Sequence, residues 1–382
     1  MKRLIIGDLE AKVPVIQGGM GVAISLSGLA SAVANEGGIG IISSAAIGML
    51  IPDFAKNFRN ANKQALRDEI RKARNKTNGI IGVNIMMALT DYGEHMTVAV
   101  EEGADLIISG AGLPLRMPDA VIRDKKEKNK TKFLPIVSSA KAATLIFRYW
   151  EGHYGVIPDA VVVEGPKAGG HLGYKKSQID DPAFGIEKII PAVVKAVHPF
   201  GEKFNRDIPV IAAGGIYTGA DIYRLMGLGA QGVQMATRFV PTFECDASQE
   251  YKTAYVNSRP EDIVLINSPV GLPGRAINNR YLKDVAAGKK HPVNCPWQCL
   301  KTCDYKKAPY CISLALINAA RGKFKNGFVF AGTNAFKTKK IQSVKEVFRE
   351  IRTEYEKYRL KMNMTKPQRV WTSEIPSGIP AS

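Results

Sequence analysis

No apolar run in this 382-residue chain approaches the roughly 18 residues that a membrane-crossing helix needs, so no membrane association is expected. The opening MKRLIIGDLEAK takes on charge too early for a secretory signal, which makes the cytoplasm the expected location. Basic residues do not interleave with aromatic ones as they do in single-stranded nucleic-acid sites. The net charge of +18 is instead spread over 56–76, 123–132, 337–340 and 349–366. That pattern reads as solvated outer faces, and nucleic acid is not an expected partner. A phosphorylated cofactor or an acidic carrier protein would feel the same field. There is no dinucleotide-binding fingerprint, and histidine and cysteine are scarce, at five each.

What is present is a repeated beat. Eight short apolar runs recur in the first 240 residues: 13–17 (VPVIQ), 39–44 (IGIISS), 80–84 (IIGVN), 105–109 (DLIIS), 134–138 (LPIVS), 159–164 (DAVVVE), 208–213 (IPVIAA) and 232–237 (GVQMAT). Such runs read as parallel strands buried on both faces. Helix-like stretches lie between them, such as 28–36 with Leu29 and Val33 closed by Gly37-Gly38, and 220–229 with Ile222, Leu225, Met226 and Leu228. An open doubly wound sheet uses the same units. Eight repeats over one barrel's length favour closure, so the expected fold is an α/β (β/α)8 TIM barrel with a smaller cap subdomain. The expected divisions are 1–240 for the barrel, 241–327 for a cap that sets substrate specificity, and 328–382 for a segment returning to the barrel. Within the last, 337–358 reads as a closing helix and 362–382 as a tail.

In a barrel the chemistry gathers where strands end. The first end, Gln17-Gly18-Gly19-Met20-Gly21, lets backbone approach a flat or anionic ligand, although glycine also closes strands for steric reasons alone. The seventh and eighth ends carry Gly214-Gly215, then Thr218-Gly219-Ala220-Asp221 opening a helix, and Gln234-Met235-Ala236-Thr237-Arg238. This is the usual place and chemistry for a phosphate. The sixth end, Glu164-Gly165-Pro166-Lys167-Ala168-Gly169-Gly170-His171-Leu172-Gly173, displays a histidine able to act as acid, base or donor near neutral pH. His95, His153, His198 and His291 read as surface or packing residues, and Cys245 as a small buried side chain. Lys141 faces either the site or solvent.

In this order and spacing, PVIQGGMG, GVNI, EGPKAGGHLG, PVIAAGGI and GVQMATRF resemble the nitronate monooxygenase family, formerly called 2-nitropropane dioxygenases. That family also contains flavin-dependent enoyl-acyl carrier protein reductases. The resemblance runs from about 12 to 239 and resumes weakly at 328–347. It implies an FMN-dependent enzyme in which Gly18, Gly19 and Met20 line the flavin and Asn84 bonds its polar edge. Gly169 and Gly170 would approach through backbone, and Gly214, Gly215, Gln234, Met235, Ala236 and Thr237 would hold the phosphate. His171 matches the family's catalytic histidine, placed to orient a nitronate or remove its α-proton while oxygen takes up the electrons from the flavin. In the reductase branch NAD(P)H would reduce FMN, which passes hydride to an enoyl thioester. The EGPKAGGHLG loop is closer in character to the reductases, yet Lys167 stands where many of them carry an acidic residue. Three functions are thus expected alternatives: oxidation of alkyl nitronates, reduction of an enoyl thioester, and a catalytically silent barrel binding a phosphorylated metabolite. Acyl carrier protein and a second copy of the chain are the expected macromolecular partners.

Four of the five cysteines, Cys295, Cys299, Cys303 and Cys311, fall in one short stretch. In a cytosolic protein, clustered thiols point to zinc or an iron–sulfur cluster before a disulfide. The spacing x3, x3, x7 matches neither zinc-ribbon pairs nor the common ferredoxin run. A redox-active role and plain reduced thiols stay open beside the metal.

Overall fold

Each of the eight apolar runs overlaps a strand: β1 Val15–Gln17, β2 Ile39–Ser43, β3 Ile80–Met86, β4 Leu106–Gly110, β5 Lys132–Val137, β6 Val161–Glu164, β7 Val210–Ala213 and β8 Gly232–Met235. A computed structural model, describing residues 1–128, 130–291 and 294–364, joins them into a closed barrel with all neighbours parallel. Val15 of β1 pairs with Val233 of β8 to close the ring. The runs lack alternation because both faces are covered. On β4, Leu106 and Ile108 belong to the inner core with Ile16, Ile41, Leu134 and Ile211. Ile107 between them packs in the larger core with the surrounding helices. A hairpin of Leu4–Ile6 and Leu9–Ala11 adds Leu4, Ile6 and Ala11 to the inner core, plugging the end opposite the strand C-termini. Among the described residues no helix is long and apolar enough to cross a membrane.

Helices start where side chains satisfy their free amides. Ser139 Oγ accepts from Ala142 N–H at the head of the helix Ala140–Tyr154. Thr218 and Asp221 form a reciprocal capping box on the helix Gly219–Gly227. The closing helix expected at 337–358 runs instead from Val344 to Met364. Its start is shifted because Ser343 and Glu346 make another such box, Ser343 N–H donating to Glu346 Oε2 at 2.7 Å and Glu346 N–H to Ser343 Oγ at 3.1 Å. Residues 365–382 of the expected tail lie outside the described residues.

After β8 the chain builds a small sheet from β9 Ile263–Asn267, β10 Pro273–Ile277 and β11 Val329–Phe330. The two-residue strand Gly170–His171 of the loop after β6 pairs with β10, placing His171 opposite Gly274 and Gly170 opposite Arg275. A barrel loop is thereby stitched into the sheet above the barrel mouth.

The helix Val344–Met364 lies on the helix Gly219–Gly227 with no room between them: a Cβ on Gly219 would fall 2.2 Å from Ile351 O and 2.2 Å from Tyr355 N. Gly219→Ala is expected to lower unfolding stability by about 1–3 kcal/mol. Gly227→Ala, whose Cβ would meet nothing within 4 Å, should not. Equal denaturation midpoints for the two variants would contradict this packing.

Candidate active site

Because the strands are parallel and closed, their eight C-terminal ends share one rim. There they surround a cavity of about 990 Å3, the size range of small-molecule and cofactor sites. Gly18, Gly19, Met20, Asn84, Gly169, Gly170, His171, Gly214, Gly215, Gln234, Met235, Ala236 and Thr237 all line it. Residues as far apart in sequence as Gly18 and Thr237 therefore meet at one place. Lys141 does not line it, and is exposed on the first turn of its helix.

His171 is held by three contacts. Its backbone sits in the β10 pairing, its Nε2 is 2.7 Å from Ser268 Oγ, and the edge of its ring meets Phe330 at 5.0 Å. Ser268 Oγ also accepts from Val270 N–H at 3.3 Å. Among the described residues no hydrogen-bond partner is found for Nδ1. Burial pushes the imidazole down from 6.5 to about 4, because the enclosing protein penalises the charged ring. The side chain is thus neutral at physiological pH. Glu164, at the end of β6, is shifted in the opposite sense: burial raises its carboxyl from 4.5 to about 8, keeping it protonated near neutrality. Both side chains line the same cavity, the imidazole neutral and the carboxyl protonated near neutral pH.

The loop carrying His171 is pinned by side chains from other segments. The buried Arg275 guanidinium donates to Pro166 O at 2.8 Å and also to Ala168 O. Asn334, from the returning C-terminal segment, donates its Nδ2–H to Gly215 O at 2.7 Å. Tyr174 Oη donates to Glu164 O at 2.6 Å. Exposed Lys167, Lys175 and Lys176 line the cavity and make it electropositive. Sequence reasoning gives Ser268, Phe330, Arg275 and Asn334 no role at the site, because each reaches it only through pairing with a segment far away in the chain.

Two features suit a flat, phosphorylated cofactor. Gln234 Oε1 is buried with no partner, a costly state unless a bound group supplies a donor. Gly170 adopts φ +74° with nothing within 4 Å of a Cβ built there, so bare backbone faces the open cavity. These features of the cavity are compatible with FMN.

Elsewhere His95 is fully buried, Nδ1 2.9 Å from Ser44 Oγ and Nε2 3.1 Å from Asp91 Oδ2, with Asn62 Nδ2 donating to the same carboxylate at 2.7 Å. This serine–histidine–aspartate set does not line the cavity and ties β2 to the helix Tyr92–Glu101. The four clustered cysteines also lie away from the cavity, around a second, much smaller one, and all are free thiols. Among the described residues no three His, Cys, Asp or Glu side chains converge tightly enough to hold a metal ion. As they stand, the thiols do not form the tight set that a zinc ion draws to about 2.3 Å.

Comparison with known proteins places these observations in a lineage. The family model described as nitronate monooxygenase matches residues 2–354. A probable nitronate monooxygenase of Staphylococcus aureus (strain MRSA252) is 25% identical over 328 residues, covering 78% of this chain and 85% of the relative. Among solved structures, FabK from Thermotoga maritima aligns with a TM-score of 0.71 and 28% identity over 93% of this chain and 96% of its own. Nitroalkane oxidase from Streptomyces ansochromogenes shares the fold, with a TM-score of 0.69 at 22% identity over 92% of this chain and 98% of its own.

The Glu164 shift has a signature in stability. In flavin-free protein the folded carboxyl keeps its proton up to about pH 8, while the unfolded chain releases it near 4.5. Its contribution is therefore full below 4.5 and is lost as pH rises through 8. Between pH 5 and 8 the stability of wild type relative to Glu164→Gln should fall by about 3–4 kcal/mol. A difference independent of pH, read from urea denaturation, would contradict the shift.

Proposed function

Because this chain belongs to the nitronate monooxygenase family, we propose that it is an FMN-dependent oxidoreductase that oxidises alkyl nitronates with oxygen. The observation that carries this reading is the convergence of His171 and the glycine-rich ends of β1, β6, β7 and β8 on one cavity. Family membership makes this barrel an enzyme, which sets aside the catalytically silent binder. Gly18, Gly19 and Met20 would lie along the flavin and Asn84 at its polar edge. Gly214, Gly215 and Gln234 to Thr237 would hold its phosphate at the rim position barrels use for that group. When bound, FMN supplies the redox chemistry, taking electrons from the substrate and passing them to oxygen.

The chain's own part is orientation and proton handling. In the tautomer whose Nε2–H donates to Ser268 Oγ, the lone pair of His171 is on Nδ1 and can accept an α-proton or a hydrogen bond from substrate. Ser268 is then a positioning residue that fixes the tautomer, and the Phe330 edge fixes the ring plane. The low imidazole pKa keeps that lone pair free through the acid range. Protonated Glu164 offers a hydrogen bond without adding negative charge, which suits an anionic nitronate.

A second reading, NAD(P)H-dependent reduction of an enoyl thioester, is favoured by one observation: Lys167, Lys175 and Lys176 at the cavity. Their charge would attract the phosphates of a nicotinamide donor or of an arm borne by acyl carrier protein. NAD(P)H consumption strictly dependent on an enoyl thioester would place the chain in that branch.

His171→Ala should retain FMN yet lose turnover by about 10²–10⁴-fold, and wild-type kcat/KM should fall on the acid side only as pH nears 4–5, not near 6.5. Near-wild-type kinetics in the variant would remove His171 from the mechanism. Gly215→Asp sets a Cβ 2.7 Å from Lys167 Cβ at φ +78° and brings a carboxylate toward the phosphate. It should weaken FMN binding at least about tenfold, and full flavin occupancy would show that the phosphate is held elsewhere.

A further inference from the structure

Cys295, Cys299, Cys303 and Cys311 come from a stretch with almost no regular secondary structure, yet all four line one cavity. The stretch is held in place from outside. Thr90 N–H donates to Cys299 O at 3.2 Å, Lys301 N–H donates to Ala88 O at 2.8 Å, and Thr302 Oγ1–H donates to Val270 O at 3.0 Å. Trp297 packs against Phe54 and Phe58 at 5.2 and 5.7 Å. These contacts converge the thiols without joining any two of them, and all remain free.

The spacing between them selects among metals. A single zinc would bring four sulfurs to about 2.3 Å from a common centre, leaving no space among them. Here about 20 Å3 of water-sized room remains, and no three thiols converge on one ion among the described residues. A cluster of several metal atoms bridged by sulfide keeps its four cysteine ligands farther apart than a single ion does. The walls suit it as well. Leu300 and Ile312 are apolar, and Tyr310, 3% exposed, has a buried hydroxyl with no partner. Hydrogen bonds to cluster sulfur are one of the levers by which proteins tune such centres.

We propose that Cys295, Cys299, Cys303 and Cys311 bind a four-iron, four-sulfur cluster, with the Tyr310 hydroxyl donating to its sulfur. This site does not depend on the flavin reading. The two are nevertheless neighbours: on the helix Ile312–Ala320, Ile312 lines the cysteine cavity and Leu316 the larger one, four residues or about 6 Å of helix rise apart.

The test is to purify the full chain anaerobically, reconstitute it with ferrous iron and sulfide, and count iron, acid-labile sulfide, zinc and flavin. The expected result is about four iron and about four sulfide per chain, with a broad visible absorption that bleaches on reduction. Cys303→Ser and Cys311→Ser should each lose iron and sulfide at least tenfold with flavin content unchanged, while Cys245→Ser, which alters the cysteine outside the cluster, keeps all of them. Stoichiometric zinc without sulfide, four titratable thiols with neither metal nor sulfide, or variants that retain the full iron count would each overturn the proposal. Should a variant fail to fold, the wild-type counts decide.

Discussion

Closure of the parallel sheet between Val15 of β1 and Val233 of β8 is the constraint from which the site follows. A parallel ring has one face on which every strand ends, so glycine-rich turns that are far apart along the chain must meet there. Were the sheet open, Gly18 after β1 and Thr237 after β8 would belong to opposite edges. The barrel interior is filled by Ile16, Ile41, Leu106, Ile108, Leu134 and Ile211. The cavity is therefore a feature of the rim, and its walls are backbone and loops on a rigid base.

The second organising contact is the pairing of Gly170–His171 with β10. It converts a flexible glycine loop into a strand and places His171 within reach of Ser268, 97 residues later. Arg275 on the same strand reaches back to the carbonyls of Pro166 and Ala168. The loop and the sheet above it therefore act as one rigid unit. Burial between them gives His171 its neutral character, and the same enclosure keeps the Glu164 proton in place. Stability and chemistry are linked here: burying a carboxyl and an imidazole on the cavity wall costs stability, and it gives both groups the protonation states that the proposed proton handling would use.

The barrel was readable from the chain because its signal is local. A strand buried on both faces is a run of apolar residues, and IGIISS or DAVVVE states this without reference to distant residues. The glycine clusters of the rim are local too, as is the display of His171 among them. What stayed hidden depends on pairing across the sheet and across the chain. Nothing in the composition around Ser268 says that its hydroxyl meets His171, or that Asn334 bonds Gly215. Glu164 stood in view within its motif, but its raised pKa comes from enclosure by other segments. Cysteine spacing pointed to a metal at 295–311 without choosing between zinc and a cluster, because how the thiols meet depends on Trp297 packing against Phe54 and Phe58 and on the helix that begins at Ile312.

FMN in the rim cavity is tested most directly by the identity and amount of flavin released when the purified, reconstituted protein is denatured. One FMN per chain, identified by chromatography, is the expected result. Release of FAD, or a protein that takes up no flavin, would contradict it.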